Sequence, residues 1–495
     1  MQSNRSKRIV FTTWGSFGDL HPFMALAFEL KARGHRPAIA SIAEYQPKVE
    51  AAGLDFFPLR PSVQLPDTKE GQEVIRRIMD LRDGPRYVIQ EMLAPTTRET
   101  YEDSIAAINA DGGADLLVSH AVPMAAPLVA ARTGIKWISS VLSPISLTSV
   151  YDPATPPEFP LLRKLLLLHP VLAKAFNRVL HRITEPWVAD VRKFRKELGL
   201  PPGDHPVFEA QHSPRRVLAM FSKVIAQLQP DHPQNTIITG FPFYDRDQAE
   251  APAREVMNFI ESGEPPILFT LGSAAVRVGD EFYRTSIEVA EQLKRRALLL
   301  VSESSSLLRT ELPPGIKAIA YAPHSMVMPR SSVVVHQSGI GTTGQALRSG
   351  RPMLIVPHGQ DQPDNARRCE ELGVALVLPE KRYNVANAVA KLRRLLKEQS
   401  FVDRAQVISE QVQSEGGTRS ACDAIEAELI DDPDLSAGKT RHSPRFALPP
   451  YAVPSASGFL AGSSALRIAR REGRPTISRP NPWRWEFGFD GSPEA

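Results

Sequence analysis

Two cysteines in 495 residues, Cys369 and Cys422, leave no material for a disulfide framework, and such scarcity points to a reducing interior. No Cys/His spacing matches a structural zinc site, and no metal cluster such as DxD at a strand end is apparent. Lys and Arg number 59 against 55 Asp and Glu, too small a surplus over this length for a nucleic-acid footprint. Aromatic residues make up 7% and form no group with Lys or Arg that resembles a base-stacking platform. No run of about 18 apolar residues occurs, so no segment is expected to span a bilayer. Ser3 to Arg8 are polar and basic but lead straight into a short strand-like segment, the wrong flank for a secretory signal. A cytoplasmic location is the expectation, with peripheral membrane contact left open.

What is present is ordinary for a globular chain, 42% hydrophobic and 23% charged residues, and long enough for two or three domains. The pattern is α/β. Ile9–Thr13 reads as a buried strand, and Pro22 to Arg33 as a helix with Pro in its first turn and Gly34 as its stop. Strands follow at Ala38–Ser41, Asp115–Ser119 and Trp137–Val141, with helices at Gln46–Ala52 and Met124–Thr133 between them. Residues 143–210 are helical and punctuated by Pro, and Val217–Met220 and Thr236–Gly240 close this half. The alternation restarts with strands at Ile267–Thr270, Leu298–Ser302, Ile316–Ile319, Val333–His336 and Met353–Val356. A helix is expected at Phe282–Arg295, and helical stretches at Val385–Glu398 and Phe401–Leu429 end this half. Two doubly wound Rossmann-like halves are therefore expected, residues 1–240 and 255–430, joined by a linker at 241–254 and facing a central cleft. Residues 431–495 are Pro/Ser/Arg-rich and expected to be largely disordered, with a docking role open for Trp483 and Trp485. The basic amphipathic stretch Leu161–Ile183 is expected to be a core-facing helical pair of an acceptor-binding lobe; contact with a membrane surface or a lipid-like substrate is the alternative.

The most informative segment is HQSGIGTTGQALRSGRPMLIVPHGQDQPDN, from His336 to Asn365. A strand runs into a Gly/Ser/Thr loop, a helix closed by Gly350, a second strand and the polar pair Asp361–Gln362. Glycines admit an anion close to backbone N–H groups, and the helix start adds about half a positive charge. A nucleotide diphosphate fits such a loop. Gly339–Gly344 also spells GxGxxG, with Asp361 about twenty residues on, which is the dinucleotide fingerprint of an NAD enzyme. That fingerprint belongs after an early strand, however, and here it lies late.

The first strand leads to Gly15-Ser16-Phe17-Gly18-Asp19-Leu20-His21-Pro22, a GxxGD loop at a helix mouth. Asp19, ionised near a helix terminus, or a neutral His21 is placed to accept a proton from a hydroxyl. The alternative is that Asp19 or His21 merely caps the helix. His120, at the end of another strand, is a candidate partner for Asp19 or a satisfied core histidine. In the second half, Gly272-Ser273 offers backbone N–H and hydroxyl to phosphate. Ala322-Pro323-His324 offers backbone and a flat ring to a base.

Together GSFGDLHPFMALAFELKARGH, FTLGS, YAPHSMVMPRSSVVVHQSGIGTTGQAL and GRPMLIVPHGQDQPDNA resemble the inverting GT-B glycosyltransferases of the UDP-glycosyltransferase superfamily, in particular the bacterial natural-product, sterol and rhamnolipid-type members, over residues 8 to 430. The resemblance implies a GT-B fold and a set of roles. Asp19 stands where many members place a catalytic His, and His120 where they place the Asp that orients it, an exchanged dyad. Gly272 and Ser273 match the donor-phosphate loop, and Ala322, Pro323 and His324 the segment framing the base. Gln337, or His336 just before it, stands at the pyrophosphate position. Ser338 replaces a usual Gly ahead of Gly339, Gly341, Thr342 and Thr343. Gln345 takes the place of a ribose-binding Glu, and Asp361 and Gln362 match the pair that holds sugar hydroxyls. The expected activity is transfer of a hexose or deoxyhexose from a UDP- or dTDP-sugar to a hydroxyl of a lipophilic small molecule. The donor is a co-substrate, and no cofactor is expected. A nucleotide-sugar epimerase, a non-catalytic GT-B auxiliary protein and, last, an NAD-dependent oxidoreductase are the alternatives.

Overall fold

Short, mostly buried strands, most of them followed by a helix, build two parallel sheets. The computed structural model describes residues 6–62, 68–154, 160–245, 254–272, 276 and 279–430. The first sheet holds β1 (Arg8–Thr12), β2 (Arg36–Ser41), β3 (Asp55–Pro58), β4 (Leu116–His120), β5 (Lys136–Val141), β6 (Val217–Ala219) and β7 (Thr236–Ile238). Its spatial order is β3-β2-β1-β4-β5-β6-β7. The second holds β8 (Ile267–Thr270), β9 (Ala297–Leu300), β10 (Ile316–Ile319), β11 (Val333–His336), β12 (Met353–Ile355) and β13 (Ala375–Val377), in the order β10-β9-β8-β11-β12-β13. Every strand position of β1, β8 and β11 is buried, as a sheet covered on both faces requires.

In each sheet the first and fourth strands are neighbours, with Ile9 beside Leu116 and Ile267 beside Val333. The chain winds outward from that pair in both directions. Ligands of such sheets bind outside the carboxyl ends of the strands at this reversal. The reversal points are therefore the β1 and β4 ends in one half, and the β8 and β11 ends in the other. The GxGxxG follows the fourth strand of its sheet, whereas the dinucleotide fingerprint follows the first.

Helix α1 (Phe17–Ala32) starts five residues before the expected Pro22 and carries that proline inside it. The reason is a capping box: the Ser16 hydroxyl accepts from Gly18 N–H, and the Asp19 carboxylate accepts from Ser16 N–H, which satisfies two donors that a helix start otherwise leaves open. Helices α2 (Pro160–Leu166) and α3 (Pro170–Thr184) fill the expected amphipathic stretch. They do not face the core as expected. Leu166, Ala173 and Thr184 are buried, while most of the apolar positions remain in solvent.

Beyond β11 and β12 come α4 (Ile340–Ser349) and α5 (Gln362–Glu371). The expected stretch at 401–429 is two helices, α6 (Gln399–Ser414) and α7 (Thr418–Leu429). They are separated at Gly416 and Gly417, the latter with φ +48°. The turn sends α7 back to the first half. Ala421, Cys422, Ile425 and Leu429 pack with Met24, Ala27 and Phe28 of α1 in one buried cluster. Arg33 adds ion pairs to Asp423 and Glu426. Residues 418–429, grouped by sequence with the second half, thus lie on the first. A second buried cluster joins Val217, Ala219 and Phe221 to Leu298, Val334 and Met353, so apolar packing is continuous from one half to the other. No described helix is long and apolar enough to cross a membrane. Ser273, residues 246–253 of the expected linker, and 431–495 with Trp483 and Trp485 lie outside the described residues.

Candidate active site

On the second half the site starts where β11 ends. His336 is fully buried and turned away from the loop's open side. Its Nδ1 accepts from Ser338 N–H at 3.1 Å, and its Nε2 lies 3.2 Å from Met353 Sδ. Burial pushes its pKa down to about 3. Of the two residues at the pyrophosphate position, His336 therefore braces the loop from behind. Gln337 occupies the inner surface: a Cβ on Gly272 would overlap its Nε2, and one on Gly339 would lie 3.0 Å from it. Its Oε1 is buried with no partner among the described residues.

Ser338 has φ +73°, a conformation costing an L-residue roughly 1–2 kcal/mol. Three bonds hold it: N–H to His336, Oγ to Thr343 Oγ1 at 3.2 Å, and its carbonyl to Asn365 Nδ2 at 3.0 Å. Serine thus does here what glycine does in the usual loop. Gly339 is the N-cap of α4 and no side chain caps it, so the first N–H groups, those of Ile340, Gly341 and Thr342, remain available to an anion.

The two halves meet at helix starts. A Cβ on Gly341 would come within 3.8 Å of Gly18 Cα, which sets the mouth of α4 against the mouth of α1. Beside Gly18, the Asp19 carboxylate takes both Ser16 bonds on Oδ2, N–H at 2.7 Å and Oγ at 3.1 Å. Burial, opposed by those Ser16 bonds, raises its pKa to about 6. The helix terminus was expected to keep it low; loss of water outweighs that.

Across the gap Asp361 is the N-cap of α5. Burial raises its pKa to about 6 as well; Asn365 opposes this through a hydrogen bond, and the charge of Asp19 adds to it. Asn365 Nδ2 donates to Asp361 Oδ2 at 2.7 Å, and its Oδ1 accepts from Ser143 Oγ at 3.1 Å. Asn365 and Ser143 were missed by sequence reasoning. The available signals were the four-residue step from Asp361 on one helix face and the position of Ser143 just past β5. Gln362 spends its Oε1 on the N–H groups of His358, at 2.9 Å, and Gly359, at 3.4 Å, fixing its own turn.

The remaining candidates sit further out. His120 is buried at the end of β4, against the Phe23 ring and the Trp14 backbone, and burial lowers its pKa to about 4. No hydrogen bond joins it to Asp19 among the described residues, so the expected dyad is not assembled. His21 stacks between Phe17, at 5.3 Å, and Tyr244, at 4.9 Å. Pro323 caps the short helix that begins at His324 and follows the buried Ala322; the His324 Nε2 lies 3.4 Å from Thr270 Oγ1. Gln345 reaches Asp245 at 3.5 Å and keeps Oε1 without a partner among the described residues. No group of His, Cys, Asp or Glu among the described residues is arranged to hold a metal ion.

Two doubly wound halves that oppose an anion-ready helix start to a carboxylate-bearing one define a group-transfer enzyme of GT-B architecture. Residues 9–107 match the glycosyltransferase family 28 N-terminal domain, and residues 287–426 the erythromycin biosynthesis protein CIII-like C-terminal domain. The chain is 31% identical to O-mycaminosyltylonolide 6-deoxyallosyltransferase of Streptomyces fradiae, over 85% of this chain and 97% of that protein. It is 28% identical to the sterol 3-beta-glucosyltransferase of Emericella nidulans over 85% of this chain, which spans only 30% of that longer relative. Among solved structures, the glycosyltransferase of kitacinnamycin superposes with a TM-score of 0.64 at 21% identity, covering 86% of this chain and all of that one. The chain belongs to the UDP-glycosyltransferase superfamily, and it is a GT-B glycosyltransferase.

Proposed function

We propose that the chain moves a hexose or 6-deoxyhexose from a UDP- or dTDP-sugar to a hydroxyl of a lipophilic small molecule, with inversion at the anomeric carbon. The approach of Gly341 to Gly18, with Asp19 and Asp361 close enough to feel each other's charge, carries this reading. Asp19 Oδ1 removes the acceptor's proton while Oδ2 stays bound to Ser16. The oxygen freed in this way attacks the anomeric carbon from the face opposite the diphosphate. As the carbon–oxygen bond to the diphosphate breaks, the negative charge it leaves meets the α4 N–H groups, Thr342 and Gln337; Ser273 is assigned to the same task. Removing one such donor costs about 3 kcal/mol of barrier in comparable sites. Asp361, held by Asn365, and Gln362 accept and donate to the sugar hydroxyls. Pro323 and His324 frame the base, and Gln345 the ribose. No resident cofactor has a part in this scheme.

The relatives named for O-mycaminosyltylonolide and for sterols support a bulky, weakly polar acceptor. The test is a thermal-shift panel of UDP- and dTDP-sugars, then mass spectrometry of acceptor pools and NMR of the product anomer. Stabilisation by one nucleotide-sugar, a product heavier by one hexosyl unit and an inverted anomer are expected. Stabilisation by NAD alone, or a retained anomer, would overturn the reading.

A further inference from the structure

Among the described residues, seven of the thirteen large apolar side chains left in solvent fall between positions 165 and 183. They are Leu165, Leu167, Leu168, Val171, Leu172, Val179 and Ile183, with Leu168 at 74% and Val171 at 62% exposure. On α3 the exposed positions are ordered. Val171, Ala175, Val179 and Ile183 recur every four residues, while Lys174, Arg178 and Arg182 form the adjacent row at the same spacing. The opposite face, with Ala173 and Thr184, packs inward. Helical geometry therefore turns one apolar row and one cationic row outward together.

The charge on this surface has one sign. Residues 160–184 contain five Lys or Arg and no Asp or Glu. Of the described acids nearest in sequence, Asp152 pairs with Arg163 and Arg368, and Glu185 with Arg192; Asp190 follows on the next helix, and further on Glu209 lies beside His181. Lys164, Lys174, Arg178 and Arg182 make no ion pair among the described residues. A patch this apolar is unusual on a soluble surface, and uniform positive charge beside it selects against a basic or neutral partner.

We propose that the outer face of α2 and α3 docks on a bilayer surface that carries anionic lipid. Val171, Val179, Ile183 and the Leu165–Leu168 corner enter the headgroup–acyl boundary, while Lys174, Arg178 and Arg182 meet lipid phosphates. Arg163, at the root of α2, is tied to Asp152, which also binds Arg368 of α5. The docking face is thus braced against the helix that begins beside Asp361.

The test uses the full chain and needs no sugar donor, so its outcome is independent of the reaction proposed above. The probe is flotation with phosphatidylcholine vesicles, plain or with about one third phosphatidylglycerol. Binding to the phosphatidylglycerol vesicles, weak binding to plain ones and release by about 0.5 M salt are expected. Lys174→Glu/Arg178→Glu/Arg182→Glu and Val171→Ser/Val179→Ser/Ile183→Ser should each lower binding by about tenfold or more. Both variants should keep the circular dichroism spectrum and melting temperature of the parent. Absence of binding by the parent chain overturns the proposal, and so does binding that neither triple variant reduces. A parent dimer that either variant turns into a monomer, without vesicle binding, overturns it in favour of a second copy on this face.

Discussion

A proton taken up by Asp19 would lodge on Oδ1, because Oδ2 already accepts two bonds from Ser16. With a pKa of about 6, the carboxylate is mostly ionised at pH 7.5 and strong enough to assist an alcohol. The kcat/KM for transfer should therefore fall about tenfold per unit below pH 6, and Asp19→Asn should lose about a thousandfold in kcat while nucleotide binding persists. The raised pKa has a cost in stability, whose sign is as follows. An acid whose folded pKa exceeds its unfolded one stabilises the fold below the unfolded pKa and loses that contribution as pH rises through 6. Asp19→Asn should accordingly be about 1 kcal/mol more stable than the parent at pH 7.5 and equal to it near pH 4, as read by urea unfolding. An equally unstable Asn variant at pH 7.5 would mean that the carboxylate is better solvated than its burial implies. Asp19 and Asp361 were legible in the sequence because acids at strand ends of a parallel sheet converge on the cleft. The choice between His336 and Gln337 was not. One step along the chain reverses the side chain's direction, and only the structure shows that His336 points back into the core and Gln337 toward Gly272 on the loop's inner surface.

Elements placed these residues more than propensity did. The strand ends, the glycine loop and the α4 start could be read from apolar runs and punctuation. By contrast β3 is only DFFP, half exposed, and β13 only ALV, both too short for an alternation to register. The α1 start was hidden by Pro22, which suggested a first turn, while the signal that decides it is Ser16 with Asp19 three residues on. The fit of Gly272 against Gln337 is likewise a property of two turns and of neither alone. Gly272→Ala puts a methyl group into Gln337 and should weaken binding of UDP or dTDP about tenfold by calorimetry. Gln337→Ala, by removing the Nε2 donor beside Gly272 and Gly339, should weaken binding too. In the double variant the losses should fall short of their sum by about 1 kcal/mol, because the space for the methyl group then exists. Strict additivity would place the Gln337 side chain elsewhere in solution.

For the molecule as a whole, periodicity specified each half but not how the halves grip each other. Contacts within a half repeat every two residues along strands and every 3.6 along helices, whereas those between halves join residues hundreds of positions apart with no sequence rhythm. Such are α7 on α1, and the cluster around Arg368. That guanidinium donates to Asp364 Oδ2 and Asp152 Oδ2, each at 2.7 Å, and to the Ile225 carbonyl at 3.3 Å. Asp364 is 1% exposed and its carboxyl is held below the ordinary range by Arg368 and Arg367, against the opposing effect of burial. Removing one partner of such a pair strands a buried charge, while replacing both with apolar groups is often close to neutral. Arg368→Met should then cost about 3 kcal/mol in urea unfolding, near the low end because Arg367 still holds Asp364 at 3.0 Å; Arg368→Met/Asp364→Leu should recover most of it. The depressed Asp364 pKa adds a pH signature. Its contribution is present above the unfolded pKa and fades as pH falls, so the gap between parent and Arg368→Met should narrow towards pH 3. Asp152 and Ile225 belong to the first half and α5 to the second, so the single variant should also loosen the cleft and raise the donor KM, whereas a loss of stability with an unchanged KM would show that the apolar cluster alone sets the spacing of the two helix mouths.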